Sequence, residues 1–137
     1  MRSLGIDFGE RRIGLAISDP AGRVAVPLTT LERRNDRSAA RAIAEIAGRE
    51  GVERLVLGEP VGLDGQRGEA AERARRFGDR LAAASGLPVR LVDESLTTVA
   101  AQERLREAGV DFRKDPSRID AVAAQILLQE ALDTDQR

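Results

Sequence analysis

The sequence predicts an α/β fold built on a mixed five-stranded sheet with helices on both faces. Two observations predict it. The first 30 residues contain three short strand-like segments separated by turn residues, which is typical of a three-stranded meander. Helical and strand-like segments then alternate, and a strand, helix, strand order requires right-handed crossovers and parallel pairing. The predicted order of elements is therefore βββαβαβαα.

The three strands of the meander are predicted at Ser3–Phe8, Arg12–Ser18 and residues 23–28. Turn residues follow the first two strands, Phe8-Gly9-Glu10 after one and Asp19-Pro20-Ala21-Gly22 after the other. Links as short as these join neighbouring antiparallel strands, so we expect the three segments to lie side by side.

Helices and strands alternate along the rest of the chain. Apolar residues at helical spacing predict a helix over residues 37–49, and Gly51 is well placed to end it. The remaining predicted elements are a strand at 54–57, a helix at 69–84, a strand at 89–92, a helix at 97–108 and a last helix at 119–132. The loops at 58–68 and 109–116 are the long connections.

The length and charge of the chain limit the function classes. At 137 residues we expect a single domain spanning residues 1–137. The chain has 22 Lys and Arg residues against 23 Asp and Glu residues, a formal net charge of −1, so nucleic acid would need a local basic patch or bound cations. No apolar run is long enough for a signal peptide or a membrane span, which predicts a cytoplasmic protein without membrane contact.

The sequence contains no Cys and no His. These absences exclude disulfides, thiolate nucleophiles, Cys/His zinc sites and every histidine acid–base mechanism. Any catalysis must therefore use carboxylates, Arg, Ser, Thr, the single Lys114 or a bound metal.

Asp7 lies in the middle of a strand that should be buried, within Gly5-Ile6-Asp7-Phe8-Gly9. A buried charge is costly unless it is paired or binds a metal. Gly5 and Gly9 share its face by the two-residue period, and we expect them to leave open space for a ligand or phosphate. The alternative is a structural Asp that caps a turn or pairs with Arg11 or Arg12.

Asp93 and Glu94 follow the strand at 89–92, at the end where parallel sheets present ligand sites. Neighbouring residues on a strand point to opposite faces, so only one of the two can join Asp7, and the residue pattern does not say which. Alternatively, either acid only stabilises the N-terminus of the following helix.

Asp120 lies in the first turn of the last helix, where an acid also serves as a partner for the helix dipole. One turn further on, Ala123 and Ala124 would let backbone and metal come close.

Three acids on separate elements suggest a carboxylate site for hard divalent cations. Two such ions about 4 Å apart can activate water and stabilise the leaving oxygen of a phosphodiester.

Four motifs, in order and over nearly the whole chain, resemble the YqgF (RuvX) family. They are Gly5-Ile6-Asp7-Phe8-Gly9 with Arg12-Ile13-Gly14-Leu15-Ala16, Gly58-Glu59-Pro60 with Asp64-Gly65, Asp93-Glu94-Ser95-Leu96-Thr97-Thr98, and Asp120-Ala121-Val122-Ala123-Ala124-Gln125-Ile126-Leu127-Leu128-Gln129. The resemblance implies a ribonuclease-H-like fold related to the Holliday-junction resolvase RuvC. It also implies that Asp7, Glu94 and Asp120 form an acidic triad, which selects Glu94 over Asp93.

On this resemblance we expect a nuclease that uses Mg²⁺ or Mn²⁺, in a suspected two-metal site, to hydrolyse phosphodiester bonds in 5′-end maturation of pre-16S rRNA. The expected partner is structured, pre-ribosomal RNA, and the expected state is a monomer or weak homodimer. Two alternatives stay open: a Holliday-junction resolvase acting on branched DNA, and a non-catalytic module that docks on nucleic acid or the transcription machinery.

The glycine turn after Asp7 also resembles the phosphate hairpin of actin-like and sugar-kinase ATPases. Those enzymes close two such domains around ATP, which 137 residues cannot supply.

The chain departs from the family pattern at two positions. Glu59 stands where the family usually has Leu, and it would either add an acid facing the metal or face solvent. Ser95 stands where the family usually has Arg, and the loss of that Arg beside Glu94 would weaken a contact to substrate phosphate.

Substrate contacts are expected from basic and hydroxyl side chains, because Arg binds phosphate in a fork and Thr hydroxyls accept and donate beside it. The candidates are Arg11, Arg12, Arg67, Thr97 and Thr98. The predicted helix at 69–84 also carries several arginines, but its interleaved acids favour ion pairing at i, i+4 over a basic strip. Its arginines are Arg73, Arg75, Arg76 and Arg80, and its acids are Glu69, Glu72 and Asp79.

Overall fold

The computed structural model describes residues 1–60, 68–94, 103, 106–107, 109 and 117–135. The strands are β1 (Ser3–Phe8), β2 (Arg12–Ser18), β3 (Ala25–Glu32), β4 (Arg54–Glu59) and β5 (Val89–Asp93), and the helices are α1 (Asp36–Glu50), α2 (Glu69–Ser85) and α3 (Ser117–Asp135). Most of the predicted helix at 97–108 and most of the two predicted long loops lie outside the described residues.

The five strands form one mixed sheet in the order β3-β2-β1-β4-β5. The strands β1, β2 and β3 pair antiparallel, whereas β4 pairs parallel with both β1 and β5. The predicted meander followed by two parallel strands is confirmed. This topology puts β1, which carries Asp7, in the centre of the sheet.

The third strand is predicted at residues 23–28, but β3 begins and ends later, so this prediction is wrong at both ends. Its start is delayed because the carboxylate of Asp19 accepts the backbone N–H groups of Arg23 at 2.7 Å and Val24 at 3.0 Å, which holds both in the turn. Its end is extended because the pairing with β2 continues past an irregularity in the register between Leu15 and Ala16.

Helices cover both faces of the sheet, as predicted. The helices α1 and α2 pack on the face that presents Leu4 and Ile6 of β1, and Phe77 of α2 lies in that core. The helix α3 packs on the opposite face through a second cluster that includes Leu127 and Leu128. Because side chains alternate along a strand, Asp7 projects to the α3 face.

Local signals account for the ends of the first helix. Asn35 caps α1 by accepting the backbone N–H of Ser38 at 2.8 Å, and Gly51 ends it in the left-handed region at φ 68°. The predicted stop at Gly51 is therefore confirmed. No helix in the described part of the chain combines the length and apolar character needed to cross a membrane.

Candidate metal and nucleic-acid site

Asp7 is 6% exposed, and its neighbours on the two adjacent strands are glycines. Its partner across the antiparallel ladder is Gly14 of β2. On the other side Gly58 of β4 follows Leu57, the partner of Ile6 in the parallel ladder. Glycines therefore flank Asp7 on both neighbouring strands, which leaves its carboxylate accessible to groups that approach from the α3 face.

The space at Gly5 and Gly9 is occupied by the protein, so the expectation that it stays open for a ligand is wrong. A Cβ on Gly5 would lie 2.7 Å from Cβ of Leu128 and 2.9 Å from the carbonyl oxygen of Ala124. A Cβ on Gly9 would lie 2.6 Å from the carbonyl oxygen of Arg12. Gly5 thus admits α3 against the sheet, and Gly9 permits the tight turn between β1 and β2.

Gly14 and Gly58 bring the other two predicted acids to Asp7. A Cβ on Gly14 would overlap the carbonyl oxygen of Asp120, so the first turn of α3 lies directly on β2. A Cβ on Gly58 would overlap the carboxylate of Glu94. Because both glycines are lateral neighbours of Asp7, Asp120 and Glu94 approach it from opposite sides.

The strand register separates Glu94 from Asp93. In the ladder between β4 and β5, Val92 pairs with Gly58 and Asp93 pairs with Glu59. Glu94 is two residues after Val92, so its side chain lies on the same face as that of Val92, the α3 face, with Asp7. Asp93 lies on the opposite face with Glu59. The choice that the residue pattern left open thus falls on Glu94.

Asp7 and Glu94 share a hydrogen bond between their side chains. Two carboxyl groups can do so only if one of them holds a proton. The pKa of Glu94 is raised to about 10. Burial is the largest cause, followed by the hydrogen bond with Asp7 and then by the charge of Asp7. Burial also raises the pKa of Asp7, the hydrogen bond from Glu94 opposes this, and the charge of Asp120 adds to it. Glu94 therefore holds its proton at neutral pH.

The carboxylate of Asp120 is held by Arg12. The Nε of Arg12 donates to Oδ2 of Asp120 at 2.7 Å, and the two side chains are 43% and 22% exposed. Arg12 therefore binds Asp120, and the alternative in which it pairs with Asp7 is not observed. Among the described residues, no three acids lie close enough together to surround a metal ion in this arrangement.

The donor chemistry of the site nevertheless fits a hard divalent cation. Two buried carboxyl groups face each other, and a third is close enough to act on the pKa of Asp7 through its charge. Oxygen donors of this kind, concentrated where like charges repel, are what Mg²⁺ and Mn²⁺ prefer.

The predicted substrate contacts are only partly described. Arg11 is exposed at the turn between β1 and β2, beside Arg12. Arg67, Thr97 and Thr98 lie outside the described residues, as does Ser95.

Glu59 is neither a metal-facing nor a solvent-facing acid, so both expectations for it are wrong. It is 4% exposed and lies on the face covered by α2, where its Oε1 accepts from Nε and an Nη of Arg75, each at 3.0 Å. The backbone carbonyl of Glu59 also accepts the N–H of Glu94 at 3.1 Å. This ion pair connects α2 to the end of β4, whose last carbonyl binds the N–H of Glu94. No spacing in the sequence indicates the ion pair, because Glu59 and Arg75 belong to different elements.

Comparison with known proteins gives matches over nearly the whole chain. Residues 1–134 match the family model described as "RuvX: Holliday junction resolvase". A relative from Chloroflexus aggregans named "Putative pre-16S rRNA nuclease" is 47% identical over 130 residues, which are 95% of this chain and 92% of the relative. A relative of the same name from Anaeromyxobacter dehalogenans is 46% identical over 133 residues, 97% of each chain.

Solved structures of resolvases have the same fold. RuvC of Thermus thermophilus, in a complex with a Holliday junction substrate, gives a TM-score of 0.58 at 18% identity over 99% of this chain and 96% of that chain. The fowlpox virus resolvase, in a complex with Holliday junction DNA, gives 0.62 at 12% identity over 100% of both chains. These likenesses establish the ribonuclease-H-like fold. The family model and the relatives show that the chain belongs to the RuvX family.

Proposed function

We propose that this protein is a cytoplasmic, divalent-metal-dependent nuclease that hydrolyses phosphodiester bonds in the 5′-end maturation of pre-16S rRNA. The observation that carries the proposal is the side-chain hydrogen bond between Asp7, which is buried, and Glu94, which is half-buried, with Asp120 beside them. The names of the relatives support the choice of RNA substrate.

In this proposal Asp7, Glu94 and Asp120 hold Mg²⁺ or Mn²⁺. Asp7 lies between the other two acids, and together with Glu94 and Asp120 it would hold both cations of a two-metal site. When bound, the cations supply the positive charge that acidifies a water molecule and stabilises the leaving oxygen. A bound cation would favour the ionised form of Glu94, because its positive charge opposes the effect that the neighbouring acid has on the pKa of Glu94.

Arg12 has two roles in this proposal. Its Nε holds Asp120 in the first turn of α3, and its terminal nitrogens, which have no partner among the described residues, bind a phosphate oxygen of the substrate. Arg11, Arg67, Thr97 and Thr98 complete the proposed substrate contacts. Arg12 therefore links the position of an acidic ligand to the presence of a phosphate.

The experiment that tests the proposal is cleavage of a labelled structured RNA with a pre-16S 5′ extension, and of a four-way DNA junction, in Mn²⁺ or EDTA. Wild type, Asp7→Asn and Asp93→Asn are compared side by side. Asp93 is the matched control, since it is one residue from Glu94 but on the opposite face of the sheet. We expect metal-dependent cleavage of the RNA that Asp7→Asn abolishes and Asp93→Asn retains.

Other outcomes favour the alternatives. Preferred cleavage of the junction would make the protein a resolvase, and a two-fold dimer with paired sites would then be required. Binding of RNA without cleavage by either the wild type or the variants would make it a docking module. The oligomeric state, predicted to be a monomer or weak homodimer, is measured on the same samples by light scattering.

A further inference from the structure

A groove of about 570 Å³ lies between α1 and α2, in the helix layer opposite α3. Arg37 and Arg41 line it from α1, and Arg80 lines it from α2. The other lining residues are Glu45 and four alanines. The alanines leave the groove unfilled, while the arginines give it three positive charges against one negative charge.

Within the part of the chain that the structure describes, the three arginines of this groove are unpaired. None of their side chains makes a hydrogen bond or an ion pair with another described residue. This differs from the i, i+4 pairing expected along α2, which holds for Arg76 with Glu72 at 4.0 Å but not for Arg80. Glu45 is in the same groove and does not pair with them either.

Such an arrangement raises the free energy of the folded chain unless an anion binds. Arg37 and Arg41 are one helical turn apart, and like charges at that spacing repel each other and destabilise a helix. Arg80 adds a third like charge from the facing helix. A phosphate group offsets this repulsion, and the planar guanidinium fork matches its oxygens.

The groove is connected to the candidate site by a short basic segment. The backbone N–H of Arg33 donates to the carbonyl oxygen of Arg11 at 2.8 Å, so the residues that precede α1 lie against the hairpin that carries Arg11 and Arg12. Arg34 is exposed in this segment, and Arg37 follows in the first turn of α1. Basic side chains thus continue from Arg12 towards the groove.

We propose that the groove of Arg37, Arg41 and Arg80 binds the phosphate backbone of the nucleic acid whose scissile bond lies at Asp7, as a second contact remote from that bond. This inference rests on the proposed function. It assigns a substrate class, namely nucleic acid with a helical arm long enough to reach from the acidic site to the far helix layer. A substrate that covers only the acidic site would not use the groove.

The test measures binding in an Asp7→Asn background, so that cleavage does not interfere. Arg41→Ala with Arg80→Ala removes two charges from the groove. Arg49→Ala with Arg73→Ala is the matched control, because it removes two exposed arginines from the same two helices outside the groove. Circular dichroism and melting curves establish that both double variants are folded.

For an RNA duplex of about 20 base pairs, the groove variant should bind about tenfold more weakly, and its slope of log K against log salt should fall by about 2, one unit for each phosphate that it no longer neutralises. The control should change affinity less than about twofold. A duplex of about 6 base pairs should bind both variants equally. When the native Asp7 is restored in the groove and control variants, both should also cleave that short substrate equally.

Three results would overturn the inference: an equal loss of affinity in the groove and control variants, no loss in either, or a loss that is the same for short and long duplexes. Free inorganic phosphate is used as a competitor against the duplex. If phosphate competes and duplex length has no effect on binding, the groove is a small-anion site instead. The salt slopes are measured without cleavage, so failure of the nuclease proposal is seen separately.

Discussion

Asp7 and Glu94 face each other in a part of the sheet where a charge is costly. Folding brings the two acids into contact, and only one of them can ionise there at neutral pH. A pair of this kind reduces the stability of the metal-free fold, but its oxygens form a site that binds a cation strongly. The consequences of this pair can be measured with and without metal.

Asp7→Asn is expected to abolish cleavage while leaving the metal-free fold intact or more stable. The amide removes the like charge next to Glu94 and can still hydrogen-bond to it. Melting curves in EDTA and cleavage in Mn²⁺ are the measurements. A large drop in melting temperature would show that Asp7 has a structural role, contrary to the proposal.

The metal-free protein should lose stability as the pH rises. The pKa of Glu94 is raised from 4.5 to about 10, so the folded state favours its protonated form. That contribution is fully present below the unfolded pKa and is lost as the pH rises through the folded pKa. Urea unfolding in EDTA at several pH values between 5 and 9 should therefore give a steeper fall for wild type than for Glu94→Gln. Parallel curves for the two proteins would contradict this.

Two glycines on neighbouring strands position the elements that carry the other acids. Gly14 lets the first turn of α3 rest on β2, and Gly58 leaves room for the Glu94 side chain. The neighbouring atoms differ in kind, because Gly14 faces backbone and Gly58 faces the far end of a side chain. The two positions should therefore respond differently to an added methyl group.

Gly14→Ala should destabilise the fold by about 1–3 kcal/mol, because α3 must shift to accommodate the new Cβ. Gly58→Ala should change stability by less than about 1 kcal/mol, because the Glu94 side chain can move aside and the unfolded chain loses entropy. It should nevertheless reduce cleavage strongly, since it displaces the carboxylate of Glu94. Urea unfolding and cleavage are measured on both variants.

Gly48→Ala serves as the control for these substitutions. Gly48 lies in α1 with nothing within 4 Å of an added Cβ, so alanine should stabilise the helix by about 1 kcal/mol and leave cleavage unchanged. Unchanged cleavage in Gly58→Ala would remove Glu94 from the proposed set of metal ligands.

Across the whole molecule, the candidate site joins three elements that are distant in sequence. Asp7 is on β1, Glu94 follows β5, and Asp120 lies in the first turn of α3, which packs across the sheet. Cations held by these three acids would link the centre of the sheet to its far strand and to the covering helix. Metal binding should therefore be visible in the stability of the entire fold.

Mn²⁺ should raise the melting temperature of the wild type but not of Asp7→Asn. A ligand that binds only the folded state, present at 100 times its dissociation constant, adds about 2.7 kcal/mol of stability. NaCl at matched ionic strength is the control for screening. An equal shift in both proteins would place the cation somewhere other than at Asp7.

Local patterns in the sequence determined most of the architecture. The turn residues after β1 and β2, the helical spacing before Gly51 and the alternation that follows predict a mixed sheet, because hydrophobic period and turn chemistry act over a few residues. The one misplaced strand, β3, depends on Asp19, whose carboxylate holds the next residues in a turn. That interaction competes with the strand and leaves no trace in the hydrophobic period.

The sequence by itself also marked Asp7 as a charge in a buried strand, and its motifs carried the resemblance to the family. That resemblance selected Glu94, but the residue pattern left Asp93 and Glu94 open, and only the tertiary structure shows how the groups around Asp7 meet. The register between β4 and β5 brings Glu94 and not Asp93 to its face, α3 fills the space at Gly5, and Arg75 reaches Glu59 from another element. These contacts depend on strand order and helix packing, which join residues far apart in the chain and which no local period encodes.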